Sequence, residues 1–456
     1  FPLFLADIYN LSSQGFASDD AKESSYYTIT NRRSPKDSFS DVAKDSRMVF
    51  YGLSRFANKY LSNRITAYEV EESALFMKRA NSLGGELFFP KDMWLSIVND
   101  MGGYLPIKIS GLLEGSTFFP NVPFVSIEST EKGFGEFAAA IEAGITGFVS
   151  IHTARTTFLR HWLERIKEWV QKDLKSDDDE VLYTTAQFLL HDFSMRAHAV
   201  PEEAESLGLC NLLCFHGSDT SSSCYQAWKM GCHPQSGTSI IAAAHRTIQG
   251  YSSELDCFEK IHNTAAVGRL NIASYLLDCY NFQDCVINSL VKIADKYPND
   301  IFVGRGDSGD ALKNILFILG QKRKNIRYIE GNSVKPQSMF QIMDGILESG
   351  YSISKGCYGV GGSCKTGITR DSLSTKYALA AVGYNDRSVM KLSEEPGKVS
   401  IPGPNTIECN PDGYIVDIGE DNLQNFYYAD KHSATWSGLE KFSDIQNRTI
   451  NHFDSF

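Results

Sequence analysis

The sequence predicts an α/β protein, an irregular parallel α/β barrel plus an α+β domain formed by the N-terminal and C-terminal segments. From about residue 188 onward, short apolar runs alternate with amphipathic stretches, as a parallel sheet with helical crossovers requires. Polar residues gather where those runs stop, the end at which barrels assemble their sites. Residues 301–310 show both habits at once. A buried run, Ile301, Phe302 and Val303, leads into Arg305, Asp307 and Asp310 on a turn that Gly304, Gly306 and Gly309 allow to bend sharply.

In chain order, residues 1–150 read as an α+β domain with helices over 47–61 and 66–80. Strands over 105–109 and 122–127 flank a turn at Gly115, Pro120 and Asn121. Over 153–174, Phe158, Trp162, Ile166 and Trp169 recur at three or four residues, the spacing of one long amphipathic helix. The acidic run 176–180 reads as a solvated loop rather than a metal site. A barrel catalytic domain is assigned to 151–390. Its candidate strands are 188–191, 213–215, 239–242, 271–277, 301–303, 326–329, 352–357 and 379–382. Helical patterns over 201–207, 222–230, 285–296, 310–319 and 337–348 lie between them. Residues 391–456, rich in turns and short strands, are expected to pack back on the first domain.

Composition narrows the function. With 44 Lys and Arg against 55 Asp and Glu, the 456-residue chain carries a formal charge of −11, which argues against wrapping nucleic acid but leaves room for a local basic pocket. No apolar stretch is read as reaching about 18 residues, so no membrane span is expected. Residues 1–7 are too short for a signal peptide. Nine of the ten cysteines fall between Cys210 and Cys364 without a C-x-x-C pair. Cys210/Cys214 and Cys224/Cys232 beside His233 approach metal-ligand spacing, but buried, reduced thiols of a cytoplasmic protein are the reading adopted.

Candidate site residues cluster at the strand ends: His191, Asp192, Phe193 and Arg196; Asp219 and Thr220; His245 and Arg246; Asp278 and Tyr280; Arg305 and Asp307; Gly331, Asn332 and Ser333. The stretch Gly359, Val360, Gly361, Gly362 and Ser363 can turn successive N–H groups toward a phosphate, or be a plain turn. No lysine–serine P-loop pattern accompanies it. Arg196, Arg305 and Arg370 suit bidentate phosphate binding. Asp307 and Asp310 can supply oxygen ligands to Mg²⁺ or cap helices.

Taken together, these residues resemble the type II phosphoribosyltransferases, the nicotinamide and nicotinate phosphoribosyltransferase family. The likeness runs from Asp7, Ile8 and Tyr9 through His191-Asp192-Phe193, Gly217-Ser218-Asp219-Thr220, Ala243-Ala244-His245 and Arg305-Gly306-Asp307-Ser308-Gly309 to Gly361, Gly362 and Lys391. It implies transfer of ribose 5-phosphate from phosphoribosyl pyrophosphate to a pyridine nitrogen, on a homodimer with shared active sites. Phe193 and the partner chain's equivalent of Tyr9 would sandwich the pyridine. Arg196 and Arg305 would contact the base and donor phosphates, and Arg33 would reach the pyrophosphate from the other chain. Gly361 and Gly362 would hold the 5-phosphate, Asp307 the donor ribose and Mg²⁺, and Arg370 and Lys391 further phosphate. His245 matches the histidine that is phosphorylated when ATP, a coupled activator, is hydrolysed.

Asp219 resembles the nicotinamide branch. An ionised carboxylate there accepts from an amide NH₂ and repels the carboxylate of nicotinate. Residues 390–398, residues 276–280 and Asp310 look more like the nicotinate branch. Tyr275 stands where the nicotinamide branch has an acid, Asn332 replaces an aspartate, and Ser194-Met195 replaces a glycine-containing pair. The expectation is an ATP-stimulated nicotinamide phosphoribosyltransferase of NAD salvage. Nicotinate specificity, or a non-catalytic binding protein on the same fold, are its alternatives.

Overall fold

The computed structural model describes residues 2–80, 86–232, 237–362, 367–395, 398–410, 413–417 and 423–454. It forms two compact units, Phe1–Phe158 with Gly367–Phe456, and Leu159–Thr366.

The second unit is built on a seven-stranded parallel sheet. Its order is Gly217–Ser218, Leu190–Asp192, Gly356–Val360, Ile326–Glu330, Ile301–Gly306, Ile272–Leu276 and Ile241–Ala242. A parallel bridge between Gly217 and Thr238, just ahead of the last strand, brings the two edges together and curls the sheet toward a ring. All strands run the same way, so their carboxyl ends share one end of the ring. Local chemistry sets the helices between them. Asp310 caps Ala311–Gly320 by accepting from the Lys313 N–H at 2.9 Å, which assigns this aspartate to capping. Proline opens both Pro201–Cys214 and Pro336–Glu348, where its missing N–H costs nothing. Within the sheet, Tyr328 and Tyr358 join hydroxyls at 3.0 Å and Tyr328 donates to the Ile353 carbonyl, so neither buried phenol is left unpaired.

The first unit is built on a seven-stranded sheet running Arg387–Ser388, Thr375–Val382, Ser25–Asn31, Pro123–Ser129, Ile107–Gly111, Gln424–Ala429 and Ala434–Trp436. Its paired strands are antiparallel. Residues 379–382, expected as a barrel strand, belong to the longer strand Thr375–Val382, which instead pairs with Ser25–Asn31. A short apolar run reveals that it is a strand but not which sheet it joins.

Other departures are local. Residues 47–61 begin as the strand Met48–Val49, and Gly52 at φ +112° separates it from the helix Leu53–Phe56. Residues 213–215 finish a helix, and the strand follows at Gly217–Ser218. The helix Glu254–Val267 was not expected. The long helix starts earlier than its pattern suggested, at Glu142, and ends at Leu174. Contrary to the sequence expectation, the run Gly135–Leu174 holds an 18-residue window with mean hydropathy 1.3, long and apolar enough to cross a bilayer. That window is 61% buried within the protein, as core helices are.

Candidate functional site

At the carboxyl ends of the barrel strands lies a cavity of about 670 Å³. Seven of the predicted site residues line it: Phe193, Arg196, Asp219, His245, Arg305, Asp307 and Gly331, together with Met195 and Ala244. They come from five of the seven strand ends, which parallel topology brings to one place.

Arg305 leaves the strand Ile301–Gly306 and donates from Nη2 to the Ala243 carbonyl at 2.9 Å, while its Nε stands 3.3 Å from Asp307 Oδ1. Asp307 sits in a cradle that only glycine can form, because a Cβ on Gly331 would lie 1.9 Å from Asp307 Oδ1. The Asp307 N–H donates to Asp278 Oδ2 at 3.3 Å, and that same oxygen accepts the Ser308 hydroxyl. The other oxygen, Asp278 Oδ1, is 3.4 Å from His245 Nε2. Asp278 therefore ties the histidine to the Asp307 turn.

Across the cavity, Asp219 Oδ1 accepts the Ser239 hydroxyl and lies 3.5 Å from His191 Nε2. Burial raises the Asp219 carboxyl, but the close approach of His191, the hydrogen bond from Ser239 and the charge of Arg305 bring it below the usual range. It is an ionised acceptor. Phe193 donates its N–H to the Val360 carbonyl at 2.8 Å and sets its ring 4.7 Å from that of His191. The close approach again depends on a glycine: a Cβ on Gly359 would lie 2.4 Å from the Phe193 ring. Arg196 is exposed on the turn Met195–Ala197, and nothing among the described residues holds its guanidinium. A second cavity of about 360 Å³ lies among the strands, with His191 and Ser239 in its wall.

The family described as nicotinamide phosphoribosyltransferase, N-terminal domain, matches residues 3–109, and the nicotinate phosphoribosyltransferase (NAPRTase) family matches residues 188–401. The chain belongs to the nicotinamide/nicotinate phosphoribosyltransferase family. It is a pentosyltransferase of that family. A nicotinamide phosphoribosyltransferase of Xanthomonas campestris pv. campestris (strain 8004) is 26% identical over 353 residues, 73% of this chain and 72% of that one. One of Acinetobacter baylyi is 22% identical over 468 residues, 90% of each chain. Human nicotinic acid phosphoribosyltransferase superposes over 99% of this chain and 94% of its own with a TM-score of 0.60 at 13% identity. The nicotinate-nucleotide pyrophosphorylase of Pyrococcus furiosus gives the same score and identity over 99% and 95%. These last two likenesses concern the fold.

The remaining residues that the family resemblance singled out are distributed as follows. Gly361 and Gly362 follow the strand Gly356–Val360 beside the Phe193–Ala197 segment, and the Gly361 N–H donates to Ser333 Oγ at 3.0 Å. Ser363, Cys364 and His233 fall outside the described residues. Tyr9, Arg33, Arg370 and Lys391 belong to the first unit. Tyr9 is 65% exposed on the helix Ile8–Ser13. Arg33 makes one long hydrogen bond, 3.4 Å to the Asp371 carbonyl, and Arg370 pairs with its neighbour Asp371 at 2.7 Å. Lys391 borders a cavity of about 350 Å³ with Glu142 and Lys376.

Of the departures from the family pattern, Tyr275 is a core ring 5.3 Å from Phe302. Ser194 donates its N–H to the buried Asp192, and the Asn332 N–H donates to Glu330 Oε1 at 3.0 Å. Glu330 was missed. It ends its strand opposite Gly306 and is 3% exposed. Burial pushes its carboxyl up to about 7 against the pull of the Asn332 N–H, with repulsion from Asp307, Asp278 and Asp310 adding to the rise. The available signal was its place, one residue before Gly331 at a strand end. Among the described residues no group of three or more His, Cys, Asp or Glu side chains is arranged to hold a metal, and Cys224, Cys232, Cys257, Cys279, Cys285 and Cys357 are free thiols.

Proposed function

We propose that the chain makes nicotinamide mononucleotide and pyrophosphate from nicotinamide and phosphoribosyl pyrophosphate. The observation that carries this choice of base is the ionised Asp219 at the cavity wall. A nicotinate carboxylate about 4 Å away would meet repulsion of about 4 kcal/mol at an effective dielectric near 20, before screening, whereas a carboxamide NH₂ has a donor for Asp219. In the reaction the ring nitrogen forms a bond to C1′ as the C1′–oxygen bond to pyrophosphate breaks. The nitrogen ends as a pyridinium, and the bonding electrons leave on pyrophosphate. No proton is transferred in this step. The residues are therefore needed to hold two reactants in line and keep water away. Phe193 offers a flat wall to the heterocycle. Arg305 and Arg196 offer guanidinium groups to phosphate, Asp307 an acceptor to the ribose hydroxyls, and Gly361 and Gly362 a turn for the 5-phosphate.

Mg²⁺ suits this donor set, because it takes hard oxygen ligands from one or two carboxylates and completes its shell with phosphate and water. Asp307 would hold it with Asp278 alongside, and the ion would neutralise charge on the departing pyrophosphate. ATP as coupled activator is supported by His245, whose ring is accessible and backed by the Asp278 carboxylate. A homodimer is supported by Tyr9 and Arg33, which stand at the surface of their own unit. Free thiols suit a cytoplasmic setting. The second reading, nicotinate as the base, is favoured by the unpaired Arg196 in the same cavity. Pyrophosphate release measured with each base in turn decides between them. We expect kcat/KM to favour nicotinamide by up to about a thousandfold and Asp219→Asn to erase most of that preference. An equal or greater rate with nicotinate would overturn the choice.

A further inference from the structure

We infer that His191 and Ser239 are positioning residues for base selection, clamping Asp219 through Oδ1 so that Oδ2 alone meets the ring substituent of the base. This rests on the proposed reading of the cavity. Both contacts fall on one oxygen: the Ser239 hydroxyl donates to Oδ1, and His191 Nε2 stands 3.5 Å from it. Oδ2 has no partner among the described residues. The clamp is itself fixed. His191 projects from the strand Leu190–Asp192 and lies against the backbone of Gly217, where a Cβ would come within 2.6 Å of Nδ1. On its other flank lies the Phe193 ring. Ser239 follows Thr238, which is hydrogen-bonded in both directions to the neighbouring strand through His216 and Ser218.

The consequence is chemical. A carboxyl group free to rotate and protonate could donate an O–H to nicotinate as readily as accept from nicotinamide. Held and ionised, Asp219 only accepts. Selection then depends on the clamp as much as on the acid.

The test compares pyrophosphate release with the two bases for His191→Leu, Ser239→Ala, the double variant and His191→Gln, with Asp219→Asn in parallel. The double variant should lower the nicotinamide-to-nicotinate ratio of kcat/KM by about tenfold or more, through loss on nicotinamide alone. His191→Gln, which keeps an N–H at similar reach, should restore much of the ratio. Adding Asp219→Asn to the double variant should change the ratio no further than Asp219→Asn alone. A merely structural role would depress both bases by the same factor. Should His191→Leu fail to fold, Ser239→Ala carries the test, since it removes a single hydroxyl. A ratio held in the clamp variants but collapsed by Asp219→Asn would refute the clamp and leave the base assignment standing. A ratio unmoved by Asp219→Asn would remove both.

Discussion

In the barrel unit Phe193, Asp219, His245, Arg305 and Asp307 arrive from four strand ends and share one cavity, whereas in the antiparallel unit Tyr9, Arg33, Arg370 and Lys391 lie on helix, turns and loops, with Arg33 and Arg370 meeting only at the exposed Asp371. Parallel strands all finish at one end, so a polar residue placed after each of them converges without further design. Antiparallel strands finish alternately at opposite ends, and convergence there has to come from elsewhere. Support differs in the same direction. Asp307 is set by Gly331 and Asp278, Phe193 by Gly359, and Asp219 by Ser239 and His191. Arg370, by contrast, is held by the exposed Asp371 next to it, a pairing of the kind that contributes little. One unit presents a prepared cavity. The other presents side chains whose placement would come from contact with another molecule, as the proposed homodimer supplies.

The sharpest way to break this contrast is at Asp307. Asp307→Ala should lower kcat/KM for phosphoribosyl pyrophosphate by about 10²- to 10³-fold with little change in thermal midpoint, because a positioned charge rather than core packing is lost. Gly331→Ala should reach part of the same effect, about 10- to 10²-fold, by pushing Asp307 out of its cradle. Steady-state kinetics on both variants measure this, and unchanged kinetics for Gly331→Ala would mean that the cradle has no functional weight.

For the antiparallel unit, the effects should be smaller and conditional. Tyr9→Ala and Arg196→Ala should each be poorly active as purified proteins. After subunit exchange the mixture should recover about a quarter of wild-type activity, since random pairing leaves half the dimers with one intact site of two. No recovery after exchange has been verified would show that each site is completed within one chain.

How far the sequence disclosed these two units follows from the kind of signal each leaves. Apolar runs that end in polar residues marked Arg305, Asp307, His245 and Asp219 directly, since each of these cavity-lining side chains sits at or just beyond the end of a strand. Glu330 ends a strand too, but inside the apolar run rather than after it. It lies at a strand end but in register with Gly306, behind the cavity wall, where its protonation is a property of packing. Asp278 was noted as a strand-end residue, yet its place between His245 and the Asp307 turn depends on three loops meeting, which spacing does not report. The strand signal at 379–382 was assigned to the wrong sheet because partner choice is a tertiary fact. His191 was marked as a strand-end residue and Ser239 only as the start of a strand, and no pattern tied either to Asp219. The close-approach glycines at 331 and 359 were readable as turns, but not as the space that a functional side chain fills.

The smallest effect is on stability. Burial pushes the Glu330 carboxyl up to about 7, above the ordinary glutamate range, so the folded chain binds its proton more tightly than the unfolded one. Its contribution is complete below about pH 4.5 and is lost as pH rises through about 7. Thermal melts at pH 5 and pH 8 should show the wild type losing a few degrees relative to Glu330→Gln over that interval. Parallel curves would contradict the buried, protonated carboxyl.

The most direct measurement of the central claim is a crystal structure with nicotinamide mononucleotide and pyrophosphate bound. The account predicts the pyridine against Phe193 with its carboxamide at Asp219 Oδ2, and phosphate groups at Arg305 and at Gly361 and Gly362. A nucleotide bound away from the strand ends, or turned so that the carboxamide lies far from Asp219, would contradict it.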